Sequence, residues 1–145
     1  MIILDTNVIS ELMKETPNPL VIQWIKTQEK SNIAITTITI AEITYGLQAL
    51  PSGLRQRTLE NAFQKTIELL FSERMLGFDQ KAAEIYGHLM AHRKKMGSPM
   101  GICDGQIAAI ALAHQTDLAT RNVRDFIECH LEMINPFSDC SKNSE

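Results

Sequence analysis

The chain opens on three consecutive apolar residues, Ile2, Ile3 and Leu4, and then turns polar at Asp5. So short a run without alternation predicts a strand buried on both faces, with Asp5 at its carboxyl end and a helix capped by Thr6 or Asn7 after it. Val21, Trp24 and Ile25 recur at helical spacing and predict a second helix over residues 17–29. Residues 33–37 are rich in β-branched side chains and predict a strand; Thr39 then opens a helix carrying Ile40, Ile43 and Leu47. After the break at Pro51-Ser52-Gly53, the positions Leu59, Phe63, Ile67 and Leu70 mark a long helix from Leu54. A brief strand over 75–78 follows, then a helix capped by Asp79 that runs through Ala82, Ile85, Tyr86 and Met90 towards Met96. Beyond the loop at 97–101, Cys103, Ile107, Ile110 and Ala111 predict another helix. A strand at 118–120, a helical turn at 123–126 and a last strand at 131–134 complete the pattern.

Strands alternating with helices predict an α/β fold on a parallel sheet, whose ligand sites lie beyond the carboxyl ends of the strands. At 145 residues the chain is expected to form a single domain over 1–137, followed by a polar tail over 138–145. No repeat or linker divides it.

Composition narrows the class. Hydrophobic residues make up 44% and charged residues 21%, as in ordinary globular proteins and unlike disordered ones. The longest apolar run, 107–113, is too short to cross a bilayer, and nothing at the amino terminus resembles a secretion signal, so a cytoplasmic protein without membrane contact is expected. Cys103, Cys129 and Cys140 are odd in number and form no C-x-x-C pair, which predicts reduced thiols and no zinc. The net charge of −3 means that any nucleic-acid contact must rest on local basic patches. His92-Arg93-Lys94-Lys95 is one candidate and Arg121 with Arg124 another, although a run of charge is equally a solvated helix face.

Four acids fall where strand or loop gives way to helix: Asp5, Glu42, Asp104 and Asp125. Oxygen ligands from separate segments can converge on a hard divalent cation that holds a phosphate and a water. Each acid also has a purely structural use. Asp5 could cap its helix, although Thr6 and Asn7 would serve. Thr39 and Glu42 match the S/T-x-x-E capping box, and a carboxylate with two oxygens can cap and ligate at once. Asp104 shares a helix face with Ile107 and Ala108, where an unpaired carboxylate is costly and a cation would compensate it; alternatively it is exposed and favoured by the helix dipole. Gly101 and Gly105 flank it and would admit a ligand or another backbone. Asn122 and Asp125 follow the 118–120 strand and could face the same edge as Asp5, or be solvated turn residues.

Other chemistries find no support. His88, His92, His114 and His130 form no H-E-x-x-H pattern, and neither G-x-S-x-G nor a Gly-rich phosphate loop is present. Asp5-Thr6-Asn7-Val8 matches an aspartyl phosphotransferase motif only loosely, with Asn7 in place of its second acid.

From Ile2 to Phe137 the chain resembles PIN-domain proteins, and among them the VapC-type toxins of bacterial type II toxin–antitoxin pairs, including their FitB-like branch. The resemblance is carried by Leu4-Asp5-Thr6-Asn7-Val8-Ile9-Ser10, by Thr39-Ile-Ala-Glu42-Ile-x-x-Gly46, by Asp104-x-x-Ile107-Ala-Ala and by Ala119-Thr-Arg-Asn-x-x-Asp-Phe126. It implies a three-layer α/β/α domain with a short central parallel sheet. It further implies a metal-dependent endoribonuclease using Mg²⁺ or Mn²⁺, with Asp5 and Asp104 as principal ligands, Glu42 as third acid, and either Asn122 or Asp125 at the fourth position, where the chain departs from relatives that carry Asp in place of Asn122. No histidine base or covalent nucleophile is then required. Thr6 would orient a ligand or water beside Asp5, and Arg121 would contact the RNA backbone. Implied partners are RNA, a cognate antitoxin and a second copy of the chain in a homodimer, with DNA reached only through the antitoxin. The helices at 17–29 and 54–70 offer apolar stripes for core, dimer or antitoxin. Two other classes stand beside this one: a non-catalytic dimeric partner of a DNA-binding antitoxin in transcriptional autoregulation, and a metal-dependent phosphatase acting on small phosphoesters.

Overall fold

A computed structural model describes residues 1–138; the expected tail beyond Ser138, and Cys140 within it, lie outside the described residues. Five parallel strands form one sheet in the order β3-β2-β1-β4-β5: β1 (Ile2–Leu4), β2 (Ile33–Thr36), β3 (Met75–Leu76), β4 (Asp117–Ala119) and β5 (Met133–Ile134). Six α-helices accompany them among the described residues: α1 (Thr6–Leu12), α2 (Pro19–Lys26), α3 (Thr37–Gln48), α4 (Leu54–Leu70), α5 (Gln80–Lys95) and α6 (Ile102–Ala113).

Period-two alternation along the short strands divides the core in two. Ile2, Leu4, Ile33 and Ile35 face one side, with Val8 and Ile9 of α1, Val21 of α2, Ile43 of α3 and Phe63 and Ile67 of α4. Ile3, Ala34 and Leu118 face the other, against Ala82 and Leu89 of α5 and Ile107, Ala108 and Ala111 of α6. The result is a three-layer α/β/α fold. Because parallel crossovers are right-handed, helices on one face carry the chain outward from β1 to β2 and β3, and the return to the far side of β1 must run over the opposite face through α5 and α6. The strand order therefore reverses between β1 and β4, and a crevice opens beyond their carboxyl ends.

Several local expectations are corrected. Asp5 itself caps α1: its carboxylate accepts from the Thr6 backbone N–H at 2.8 Å, and its carbonyl accepts from Val8 and Ile9. Helix α2 does start near Pro17, at Pro19 with Asn18 as its cap, and ends at Lys26, three residues short of the expected 17–29 span. Helix α3 starts two residues earlier than Thr39, with Thr36 as its cap and Thr39 as the donor to it, so the Thr39–Glu42 capping box does not form. That leaves Glu42 free to point elsewhere. The strands β3 and β5 are two residues each, half the expected length, since only those residues find a partner strand.

The basic run at the end of α5 is also not a uniform surface patch. Arg93 is buried, and its guanidinium donates to the carbonyls of Ser98, Asp125 and Ile127, to the Ser98 hydroxyl and to the Cys129 sulfur. It clamps the 123–129 segment, in which Glu128 is held in the left-handed backbone region. Gly105 is where α5 and α6 approach most tightly: a Cβ there would lie 2.5 Å from Met90 Sδ and 3.1 Å from Tyr86. Its smallness serves helix packing, not access for a ligand. Among the described residues no helix is long and apolar enough to cross a membrane.

Candidate functional site

At the reversal point, a cleft of about 350 Å³ is lined by Asp5, Glu42, Asp104 and Asn122, each from a different segment of the chain. Asp5 directly follows strand β1 and is pinned from both flanks. Its backbone N–H donates to the Ala119 carbonyl of β4 at 2.9 Å. One carboxylate oxygen accepts from Thr6 N and the other from the Thr120 hydroxyl, at 2.8 Å each, with Asn7 Nδ2 a longer donor at 3.3 Å. Thr120 is fully buried and also accepts from the Asn122 N–H, so a single hydroxyl ties the turn after β4 to the acid after β1.

Glu42 reaches the cleft from the first half of α3. The Thr6 hydroxyl donates to Glu42 Oε1 at 2.8 Å and shares a hydrogen bond with the Thr39 hydroxyl at 2.9 Å. Asp104 stands in the first turn of α6, half-buried at the helix start. Burial pushes its carboxyl up to about 6, and the nearby charges of Asp5, Asp125 and Glu42 push in the same direction. Asp5 is likewise raised, chiefly by burial, although its hydrogen bonds from Thr120 and Thr6 oppose the rise. Asp125 does not line the cleft. It stands on the exposed 3-10 turn Val123–Phe126, near enough that its charge raises both Asp5 and Asp104.

Besides the cations Lys14 and Arg121, the cleft presents oxygen donors of the kind hard divalent cations prefer: carboxylates, side-chain amides and hydroxyls. Clustered carboxylates that push one another's protonation upward hold an excess of negative potential, which a cation would relieve. The Cys103 thiol, pushed up by its burial and by Glu42 and Asp104, stays protonated and is no competitor as a soft ligand. Among the described residues no three His, Cys, Asp or Glu side chains stand together as a ready-made ion cage, so the acids frame an open cleft.

Two contributors escaped notice in the sequence. Glu11 is buried on the cleft wall, where it accepts from the Asn18 N–H at 2.9 Å and pairs with Lys14 at 2.6 Å; the Lys14 partner holds its carboxyl below the usual range. Asn7, Glu11 and Lys14 form a polar stripe at i, i+4 and i+7, a signal available in the sequence. Thr120 carried no such signal, because its role depends on β4 lying beside β1.

The crevice, the acids and the strand order define an α/β domain with an acidic cleft at its switch point, and comparison with known proteins gives the family. The PIN domain model matches residues 2–128, and the chain belongs to the PIN-domain family. It is 41% identical over 137 residues to VapC ribonuclease Y4jK of Sinorhizobium fredii, covering 94% of this chain and 98% of that one. Toxin FitB of Neisseria gonorrhoeae is 34% identical, covering 96% of this chain and all of the relative. Among solved structures, FitAB bound to an IR36 DNA fragment superposes with a TM-score of 0.88 at 34% identity, covering 96% of this chain and 97% of that one.

Proposed function

We propose that this protein is a metal-dependent endoribonuclease acting as the toxin of a toxin–antitoxin pair. The observation that carries the reading is the convergence of Asp5, Glu42, Asp104 and Asn122 on one cleft at the reversal of strand order. The relatives named VapC ribonuclease and Toxin FitB support the substrate class and the biological setting. Residues 1–137 would act as one domain.

Asp5 and Asp104 would hold Mg²⁺ or Mn²⁺, with the site completed from the turn after β4 by Asn122, which lines the cleft, or by Asp125, which stands outside it. An ion held there would supply Lewis acidity towards a water and the phosphate. Thr120 and Thr6 fix the Asp5 carboxylate, so its orientation is set before any ligand arrives. Glu42 is anchored through Oε1 by Thr6, leaving its other oxygen available to orient a water or accept its proton. The turn that carries Asp125 is held through its backbone carbonyl, which accepts from Arg93.

The partners would be a cognate antitoxin and a second copy of the chain. Tyr45, Leu54 and Leu69 are exposed on α3 and α4 and offer apolar contact area for one or the other. The net charge of −3 favours DNA contact through the antitoxin and not directly. A second reading, a non-catalytic partner of a DNA-binding antitoxin in autoregulation, draws on the likeness to FitAB bound to DNA.

End-mapping of total RNA after incubation with antitoxin-free protein separates the two. Cuts that require Mg²⁺ or Mn²⁺, and vanish with chelator or in Asp5→Asn, support the nuclease. Identical RNA ends from well-folded wild type and mutant would hand the lead to the regulatory reading.

A further inference from the structure

Arg121 stands with Lys14 as a cation on the wall of the acidic cleft, and two contacts fix its placement. Its backbone N–H donates to the Asn7 side chain at 3.1 Å, and its guanidinium carbon lies 4.0 Å from the centre of the Phe137 ring. Stacking of this kind restricts the plane of the guanidinium while leaving its edge donors free. Glu11 Oε2 lies 3.8 Å from Arg121 Nη2, too long for a strong hydrogen bond, whereas Lys14 sits 2.6 Å from that same carboxylate oxygen. Glu11 is thus already neutralised by Lys14 and orients Arg121 without consuming its donors. The Arg121 side chain remains half exposed.

Arg121 and Asn122 also line a second cleft, of about 370 Å³, together with Arg124, Asp125 and Asn135. The two clefts therefore adjoin across the 121–122 turn. A chain of phosphates passing from one to the other would meet the acids first, then Arg121, then Arg124.

Resting on the ribonuclease reading above, we propose that Arg121 binds the backbone phosphate adjacent to the one being cleaved, held in position by Phe137 and Glu11, and that the RNA strand leaves the catalytic cleft over this turn towards Arg124. A planar fork suits a phosphate bidentately, which a lysine cannot reproduce. In a chain of net negative charge this is the kind of local contact that RNA binding requires.

The test compares Arg121→Met, Arg121→Lys and Phe137→Leu with wild type, each first shown by thermal melting to be folded. Steady-state cleavage of a short single-stranded RNA gives kcat and KM, and anisotropy with the same RNA in an Asp104→Asn background gives the salt dependence of binding. Arg121→Met is expected to raise KM about tenfold with kcat little changed, and to reduce the slope of log affinity against log salt by about 0.7, as for one phosphate contact on a single strand. Arg121→Lys should restore the slope but only part of the affinity. Phe137→Leu should raise KM by about threefold, leaving the slope unchanged. Wild-type KM and slope in Arg121→Met, with RNA still cut, would overturn this subsite and leave the nuclease intact. Failure of wild type to cut or bind RNA under any metal condition would overturn both.

Discussion

The Thr120 hydroxyl donates to Asp5 Oδ2 at 2.8 Å across 115 residues of sequence, and both groups are buried. The bond exists because β1 and β4 are parallel neighbours that end together, with Leu4 beside Ala119. It is the junction through which the first acid of the cleft and the turn bearing Asn122 are held in one geometry.

Replacing that hydroxyl by a methyl isolates its contribution. Thr120→Val keeps the shape but leaves the buried Asp5 carboxylate and the Asn122 N–H each short of a partner, so a loss of about 1–3 kcal/mol in stability is expected. Affinity for Mn²⁺ should fall about 10–100-fold, as when an outer partner of a metal ligand is lost. Thr120→Ser should retain most of both. Denaturant melts and metal titration read the two effects separately.

Protonation of Asp104 gives a signed pH effect in chelator. Its folded value, pushed up to about 6, stands above the ordinary 3.8. The stability associated with its protonated form is present below 3.8 and is lost as pH rises through 6. Asp104→Asn should therefore stabilise the metal-free protein at pH 7, and the gain should shrink as pH falls towards 4. A shift of about two units sets a ceiling near 3 kcal/mol, and partial exposure reduces the expected gain to about 1–2 kcal/mol. Melting temperatures of the two proteins from pH 4 to 8 check the sign. Saturating Mg²⁺ should reverse the order at pH 7, because only the wild type keeps the carboxylate.

Arg93 distinguishes a surface charge from a clamp. An exposed arginine changed to methionine alters stability by no more than about 0.5 kcal/mol, whereas Arg93→Met strips donors from the carbonyls of Asp125 and Ile127 and should cost about 2–4 kcal/mol. Arg93→Lys should fail to rescue it, since one ammonium cannot span the contacts made by a planar fork. Chemical denaturation measures the loss, and backbone amide exchange should show it concentrated in residues 123–129.

Glu11 supplies a test at the opposite sign. Its carboxyl is held down by Lys14, so its stabilising contribution is present above the ordinary carboxylate range and disappears as pH falls through the lowered value. Lys14→Met should weaken the protein at pH 7 by about 0.5–1 kcal/mol and by less at pH 3, a difference seen in paired denaturant melts.

Local chemistry made much of this molecule legible. Leu54–Leu70 was readable to the residue because four apolar positions at helical spacing follow a Pro-Ser-Gly break. The 75–78 and 131–134 strands were readable as elements but not in length, since a strand extends only as far as its neighbour pairs with it. The Thr39–Glu42 capping box was plausible and did not form: Thr36, at the end of β2, took the capping role, and Glu42 turned to Thr6 instead.

Sequence alone determined the acids and the alternation of strands and helices, because carboxylate identity and hydrophobic period are properties of neighbouring residues. It marked Asp5, Glu42, Asp104, Asn122 and Asp125 as a set that could converge on one cation, with Asn122 and Asp125 able to face the same edge as Asp5, but gave none of them a purely local reason to do so. Only the tertiary structure decided that four of them share a cleft while Asp125 acts from outside it, that Arg93 is buried and Arg121 open, and that Thr120 completes the setting of Asp5. Those relations depend on the order of parallel strands and the reversal between β1 and β4, a long-range consequence of right-handed crossovers that no local stretch of sequence contains.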